Sequence, residues 1–124
     1  MNFDLPHEIQ SIIETTRHFA KVEIVPKINA FEDSREFPYT LIQKMGEAGF
    51  FGAAFPEELG GTNAGFLAIA AISEELSRLS PEFGYAMNMQ AMTCPFTIYN
   101  WGTEEQISRY VPDLILSLIH ISEP

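Results

Sequence analysis

An all-α fold, a bundle of about five helices joined by short loops, is what this 124-residue sequence predicts. Three observations carry the prediction. Apolar residues recur at helical spacing in separate stretches, each bounded by a capping residue, a proline or a glycine. No stretch shows the period-two alternation of a half-buried strand, and no repeat period or low-complexity run is present. The 46% apolar content, with 10 Phe, is ample for the packed core of one domain.

Asp4 before Leu5-Pro6 reads as the start of the first helix, an N-cap carboxylate with a proline at or near the first turn. Leu5, Ile9, Ile12, Ile13, Phe19 and Ala20, with Thr16 between them, give its buried stripe, while Glu14, Arg17, Lys21 and Glu23 lie outside it. Pro26 is expected to end or kink this helix. Lys27 to Phe31 should continue for about a turn before Glu32-Asp33-Ser34 breaks the pattern. Phe37-Pro38 opens a short second helix whose stripe is Leu41, Ile42, Met45 and Ala48, ended by Gly46 or Gly49.

The stretch GEAGFFGAAFPEELGG, from Gly46 to Gly61, then joins two helical blocks. Its glycines and Pro56 forbid a regular helix or strand, yet Phe50, Phe51, Ala53, Ala54 and Phe55 are too apolar for a solvated loop. A buried, ordered connection is expected, with every backbone polar group in need of a partner.

Thr62-Asn63 offers caps for a third helix, Ala64 to Leu79, apolar all round in its first half and therefore expected to start in the interior and end near the surface. Ser80-Pro81-Glu82 starts a fourth, a Ser cap followed by Pro at the first helical position. It runs to about Trp101, is interrupted by Pro95, and forms the central helix. Gly102-Thr103 opens the fifth, where Thr103 and Gln106 have capping-box spacing and Ile107, Tyr110, Val111 and Leu114 carry the helix inward.

Charge narrows the function. With 17 acidic against 7 basic residues the net charge is −10, which disfavours binding to nucleic acid or to an anionic membrane surface. One cysteine excludes an internal disulfide, and His7, His18 and His120 are too scattered for a metal site. No apolar run reaches the ~18 residues of a membrane span, and the N-terminus lacks a signal-peptide pattern. A soluble, cytoplasmic protein is expected.

Three motifs in order, GEAGFFGAAFPEELGG at Gly46 to Gly61, AISEELSRLSPEF at Ala71 to Phe83 and WGTEEQISRYVPDL at Trp101 to Leu114, resemble the N-terminal α-helical domain of acyl-CoA dehydrogenases. The resemblance places that domain at residues 1–115 and implies an FAD enzyme that takes a proton from Cα and a hydride from Cβ of an acyl-CoA thioester. It also implies that the catalytic glutamate and most FAD contacts belong to domains absent here, so this segment is inactive alone. Electron-transfer flavoprotein or a similar acceptor, and homo-oligomerisation of the full-length form, follow from the same likeness. By it, Phe83, Gly84, Met87, Asn88 and Ala91 of the fourth helix line the acyl end of the substrate cavity. Phe83, Met87 and Ala91 are spaced by four and share a face, an apolar wall suited to a fatty or alicyclic acyl group. The competing reading of all five is helix–helix core.

Residues 116–124 are expected to be a non-native or truncated tail; Ser122-Glu123-Pro124 looks like the family's flavin-contacting Thr-Glu-Pro motif but comes too early and lacks the glycine turn. An acyl-CoA oxidase or flavin monooxygenase of the same superfamily, and a non-catalytic helical interaction module, are the alternatives. Glu57-Glu58, Glu74-Glu75 and Glu104-Glu105 read as capping or solvated surface, since adjacent helix positions diverge by about 100°. Glu57 is the exception, placed to bond the backbone of the glycine-rich connection. His18 reads as a structural histidine near the buried stripe, and Cys94 as a small buried residue.

Overall fold

The computed structural model describes residues 1–116, over which the chain is helical with irregular connections and no strand. Residues 117–124, which hold Ser122, Glu123 and Pro124 of the expected tail, lie outside the described residues. Seven α segments are found: α1 (His7–Phe19), α2 (Ile28–Ser34), α3 (Tyr39–Glu47), α4 (Phe66–Ser77), α5 (Pro81–Met87), α6 (Cys94–Trp101) and α7 (Glu104–Ile115). Helical turns join α1 to α2 and α5 to α6, so they assemble into the five rods that the sequence predicts.

In both junctions a π turn precedes a proline. Ahead of Pro26 the chain forms a π turn over Ala20–Ile24, in which Val25 N bonds Ala20 O, followed by a 3-10 turn over Val25–Lys27. A proline supplies no N–H to the ladder, and widening the preceding turn is one way to accommodate it. Beyond it the helix continues as far as Ser34, so Glu32-Asp33-Ser34 is the last turn of α2 and not a break. Arg35 ends that helix in the left-handed region at φ 55°.

The helix starts differ from expectation in two places. Pro6 is the N-cap of α1; its carbonyl accepts from Ile9 N and Gln10 N at 3.0 Å, while Asp4 N bonds Asn2 Oδ1 at 2.9 Å. Gly65, at φ 97°, precedes α4, and neither Thr62 nor Asn63 caps it. The interior of α4 also runs the other way. Phe66 and Leu67 at its start are exposed, whereas Leu76 near its end is fully buried, because only one stripe of a helix can face a core.

α3 ends in a Schellman arrangement: Phe50 N reaches Met45 O at 3.2 Å and Gly49 N reaches Gly46 O at 3.0 Å, with Gly49 at φ 86°. The connection that follows is buried as expected, Phe51 and Phe55 fully so. Its backbone groups pair in a clasp between residues 52–55 and 61–65. Thr62 N bonds Gly52 O at 3.0 Å, Asn63 N bonds Phe55 O at 2.9 Å, and Gly65 N bonds Ala53 O at 2.9 Å. Glu57 contributes through its main-chain carbonyl, which accepts from Gly60 N at 2.9 Å, and its side chain is exposed.

α1 lies against α4, tied by Arg17, whose Nε and Nη2 donate to both Glu75 carboxylate oxygens at 2.9 and 3.0 Å. Glu75 is only 8% exposed, so it is not the solvated surface acid that the Glu74-Glu75 pair suggests. Its partner lies in another helix. Buried Thr16 bonds Ile12 O at 2.7 Å, which satisfies its hydroxyl inside the helix. α7 opens with the expected capping box: Thr103 Oγ1 accepts from Gln106 N at 3.2 Å and Gln106 Oε1 from Thr103 N at 2.9 Å. It buries Val111, Leu114 and Ile115, but Tyr110 is exposed and carries the Arg109 guanidinium 5.3 Å from its ring centroid.

Candidate functional site

The rod from α5 through α6 carries the candidate site. Ser80 is extended and Pro81 takes the first helical position, where its missing donor costs nothing. The Ser80 hydroxyl donates to the Glu82 carboxylate and caps no backbone amide. Before Pro95 the ladder opens into a second π turn, Asn88–Thr93, with Cys94 N bonding Met89 O. Burial still follows helical spacing: Phe83, Ala86, Met87, Gln90 and Ala91 face inward, and Tyr85 and Asn88 outward.

Two hollows flank this rod. The first, of about 690 Å³, lies between the start of α5 and the α2–α3 link, with Phe31, Phe37, Ile42, Phe83 and Gln90 in its wall. That volume falls within the range of small-molecule sites. Its charged residues are Glu32, Glu36, Glu82 and Arg35. The second, of about 380 Å³, lies on the opposite flank among Phe66, Asn88, Met92, Phe96 and Trp101. There Phe96 stacks between Phe66 and Phe55 at centroid distances of 5.0 and 4.5 Å.

The five residues expected on the acyl wall are distributed as follows. Phe83, 3% exposed, borders the larger hollow. Met87 and Ala91 share its face and are fully buried in the domain's own core. Gly84 lies against α4, where a Cβ would overlap Ser77 Oγ and sit 3.1 Å from Ser77 Cβ. Asn88 is exposed and borders the smaller hollow. Hence the helix face is shared, but the five do not converge on one hollow.

Sequence reading misses Gln90, whose Nε2 donates to Leu114 O at 3.1 Å and ties the rod to α7. The signal is present, a polar residue at helical spacing from Phe83. It also misses the opposite wall from α2 and α3, for which no local pattern exists. Cys94 is half-buried, and burial pushes its thiol up from the ordinary value. His18 is exposed. Among the described residues no three His, Cys, Asp or Glu side chains group as metal ligands, and no helix is long and apolar enough to cross a membrane.

An all-helical domain with an apolar hollow beside a proline-interrupted central rod is thus defined by the geometry. A sequence profile of the acyl-CoA dehydrogenase N-terminal domain matches residues 6–116. The chain belongs to the acyl-CoA dehydrogenase family. It is similar to a glutaryl-CoA dehydrogenase of Desulfococcus multivorans, 37% identical over 117 residues that cover 92% of this chain and 30% of the relative. A chain from a structure of the electron transferring flavoprotein of Acidaminococcus fermentans superposes with a TM-score of 0.89 at 34% identity, covering 94% of this chain and 30% of that one. An acyl-CoA dehydrogenase of Bacillus anthracis complexed with FAD superposes at 0.83 with 31% identity, covering 93% and 20%. The chain therefore spans about 30% of the length of its curated relatives.

Proposed function

We propose that this chain is the N-terminal domain of an FAD-dependent acyl-CoA dehydrogenase, which oxidises the α,β-bond of an acyl-CoA thioester, and that the α5–α6 rod forms part of its acyl pocket. The observation that carries the reading is the family match over residues 6–116. The apolar hollow bordered by Phe83 supports the pocket assignment. Of Phe83, Gly84, Met87, Asn88 and Ala91, Phe83 meets the acyl group in this reading and Met87 and Ala91 set the rod's packing behind it, while Gly84 faces α4 and Asn88 the smaller hollow.

The described residues do not fit an FAD pyrophosphate site. Arg17, Lys44 and Arg78 are paired with Glu75, Glu23 and Glu74. A pyrophosphate needs converging cations or amides, and of the two hollows the larger is lined by one cation, Arg35, and the smaller by none. FAD is accordingly assigned to the rest of the parent protein, as is the catalytic glutamate, and this segment alone is inactive. An electron-transferring flavoprotein as acceptor, homo-oligomerisation and a cytoplasmic location belong to the same proposal.

The test is anaerobic titration of the full-length flavoprotein with acyl-CoA thioesters of graded length. Bleaching of the oxidised flavin band is expected, and absence of bleaching with every thioester refutes the assignment. Phe83→Leu, which keeps the site apolar and opens space beside the hollow, should shift the preferred acyl length. An unchanged length profile removes Phe83 from the pocket.

A further inference from the structure

We infer that residues 25–40 form a strap that closes over the larger hollow when an acyl group occupies it. The inference rests on the proposed acyl-CoA oxidation and adds a moving part to it. Ile24 and Leu41 are fully buried, and between them no residue is. α2 lies in that interval and is the one α segment among the described residues that buries none of its side chains. Five of its residues are exposed; Ile28 and Phe31 are half-buried, and both line the hollow.

Buried apolar contact and bonds to neighbours hold an element in place, and one with little of either opens at low cost. The Ser34 hydroxyl of α2 donates to Phe31 O at 3.1 Å, within the helix itself. Among the described residues no α2 side chain makes a hydrogen bond or ion pair with another helix. Both ends of α2 are able to turn. Ahead of it the π and 3-10 turns around Pro26 interrupt the α ladder, and behind it Arg35 stands in the left-handed region at φ 55°, a conformation that strains a residue with a Cβ. Lys44 donates to Glu23 at 2.7 Å and so bridges the two anchored ends, which lets the strap swing as a loop without parting them. An apolar occupant gives Ile28 and Phe31 further surface to bury, and that gain shifts the strap toward closure.

The experiment is hydrogen exchange, read by mass spectrometry, on the full-length FAD protein alone and saturated with octyl-CoA, a thioether that lacks the carbonyl needed to acidify Cα and is not oxidised. Exchange over residues 25–40 should slow by about tenfold on binding, and the Phe31→Ala variant should lose most of that slowing. Tryptic cleavage after Lys27 and Arg35, both exposed and bracketing α2, should slow in parallel, a readout that needs no variant. Exchange and cleavage that are the same with and without octyl-CoA overturn the strap, and they leave the acyl-CoA reading standing where octanoyl-CoA bleaches the flavin. Undiminished slowing in Phe31→Ala overturns it as well, because the contact that drives closure would be absent. If octanoyl-CoA and every other thioester fail to bleach the flavin, the acyl-CoA reading falls and this inference with it.

Discussion

Replacing Gly61 by alanine should be far more damaging than the same change at Gly60, although Gly60 has the more unusual backbone. Gly60 lies at φ 91°, where an L side chain costs about 1–2 kcal/mol. Space is not the difficulty there, since a Cβ would meet only Ile115 Cδ1 at 3.9 Å. At Gly61 a Cβ would overlap Phe55 O and lie 2.6 Å from Phe55 C and 2.7 Å from Gly52 O, against the 3.0 Å that real Cβ atoms respect. These are backbone atoms and cannot rotate aside. The clasp must open, releasing the bonds from Thr62 N to Gly52 O and from Asn63 N to Phe55 O. Two such bonds at about 1 kcal/mol each, plus disturbed packing around Phe55, give about 3 kcal/mol or more. For a domain near this size that is about 12 °C in melting temperature. Thermal unfolding of both variants by circular dichroism measures it. Equal losses at the two positions, or a Gly61→Ala variant that melts with the parent, would refute the steric argument.

Thr103→Ala removes the cap of α7 and should cost about 1 kcal/mol, seen as a lower urea midpoint with an unchanged slope; an unmoved midpoint counts against the capping box. Lys44 donates to Glu23 at 2.7 Å and holds its carboxyl below the ordinary range. A carboxylate lowered in this way adds stability above its unfolded value and loses it as pH falls through the folded one, so Lys44→Met should flatten the acid limb of a stability–pH curve slightly. An identical limb in both proteins would show that the pair contributes nothing. Cys94, with its thiol raised by burial, should react with a disulfide reagent several-fold more slowly than free cysteine at mildly alkaline pH. A rate equal to that of free cysteine would contradict the burial argument.

The helices are legible in the sequence because periodicity and punctuation are local. Ser80-Pro81 and Thr103–Gln106 start their rods where the pattern places them. What escapes the sequence depends on contacts remote along the chain. Glu75 reads as one of two surface acids until Arg17 of another helix reaches it. Phe66 reads as interior, yet it is exposed with its ring stacked on Phe96, a partner no local pattern announces. Asp4 and Thr62 fail as caps for a different reason. Short polar side chains also serve turns, and here Pro6 and Gly65 take the cap positions instead. The candidate site is half legible on the same grounds. Its α5 wall presents Phe83, on one helix face with the core residues Met87 and Ala91, whereas Phe31, Phe37 and Ile42 join it only through the packing of other rods.

Ile115 closes over the glycine connection: its Cδ1 lies where a Cβ on Gly52 would come within 3.3 Å, and it is 2% exposed. Gly52 emerges from the ribosome early and Ile115 among the last of the described residues. Without α7, Gly52 and Gly60 would lack the Ile115 side chain that lies over them. The side of the connection that Ile115 covers is closed only once α7 has docked. Ile115 thus makes the packing of that connection depend on a helix more than fifty residues further along the chain.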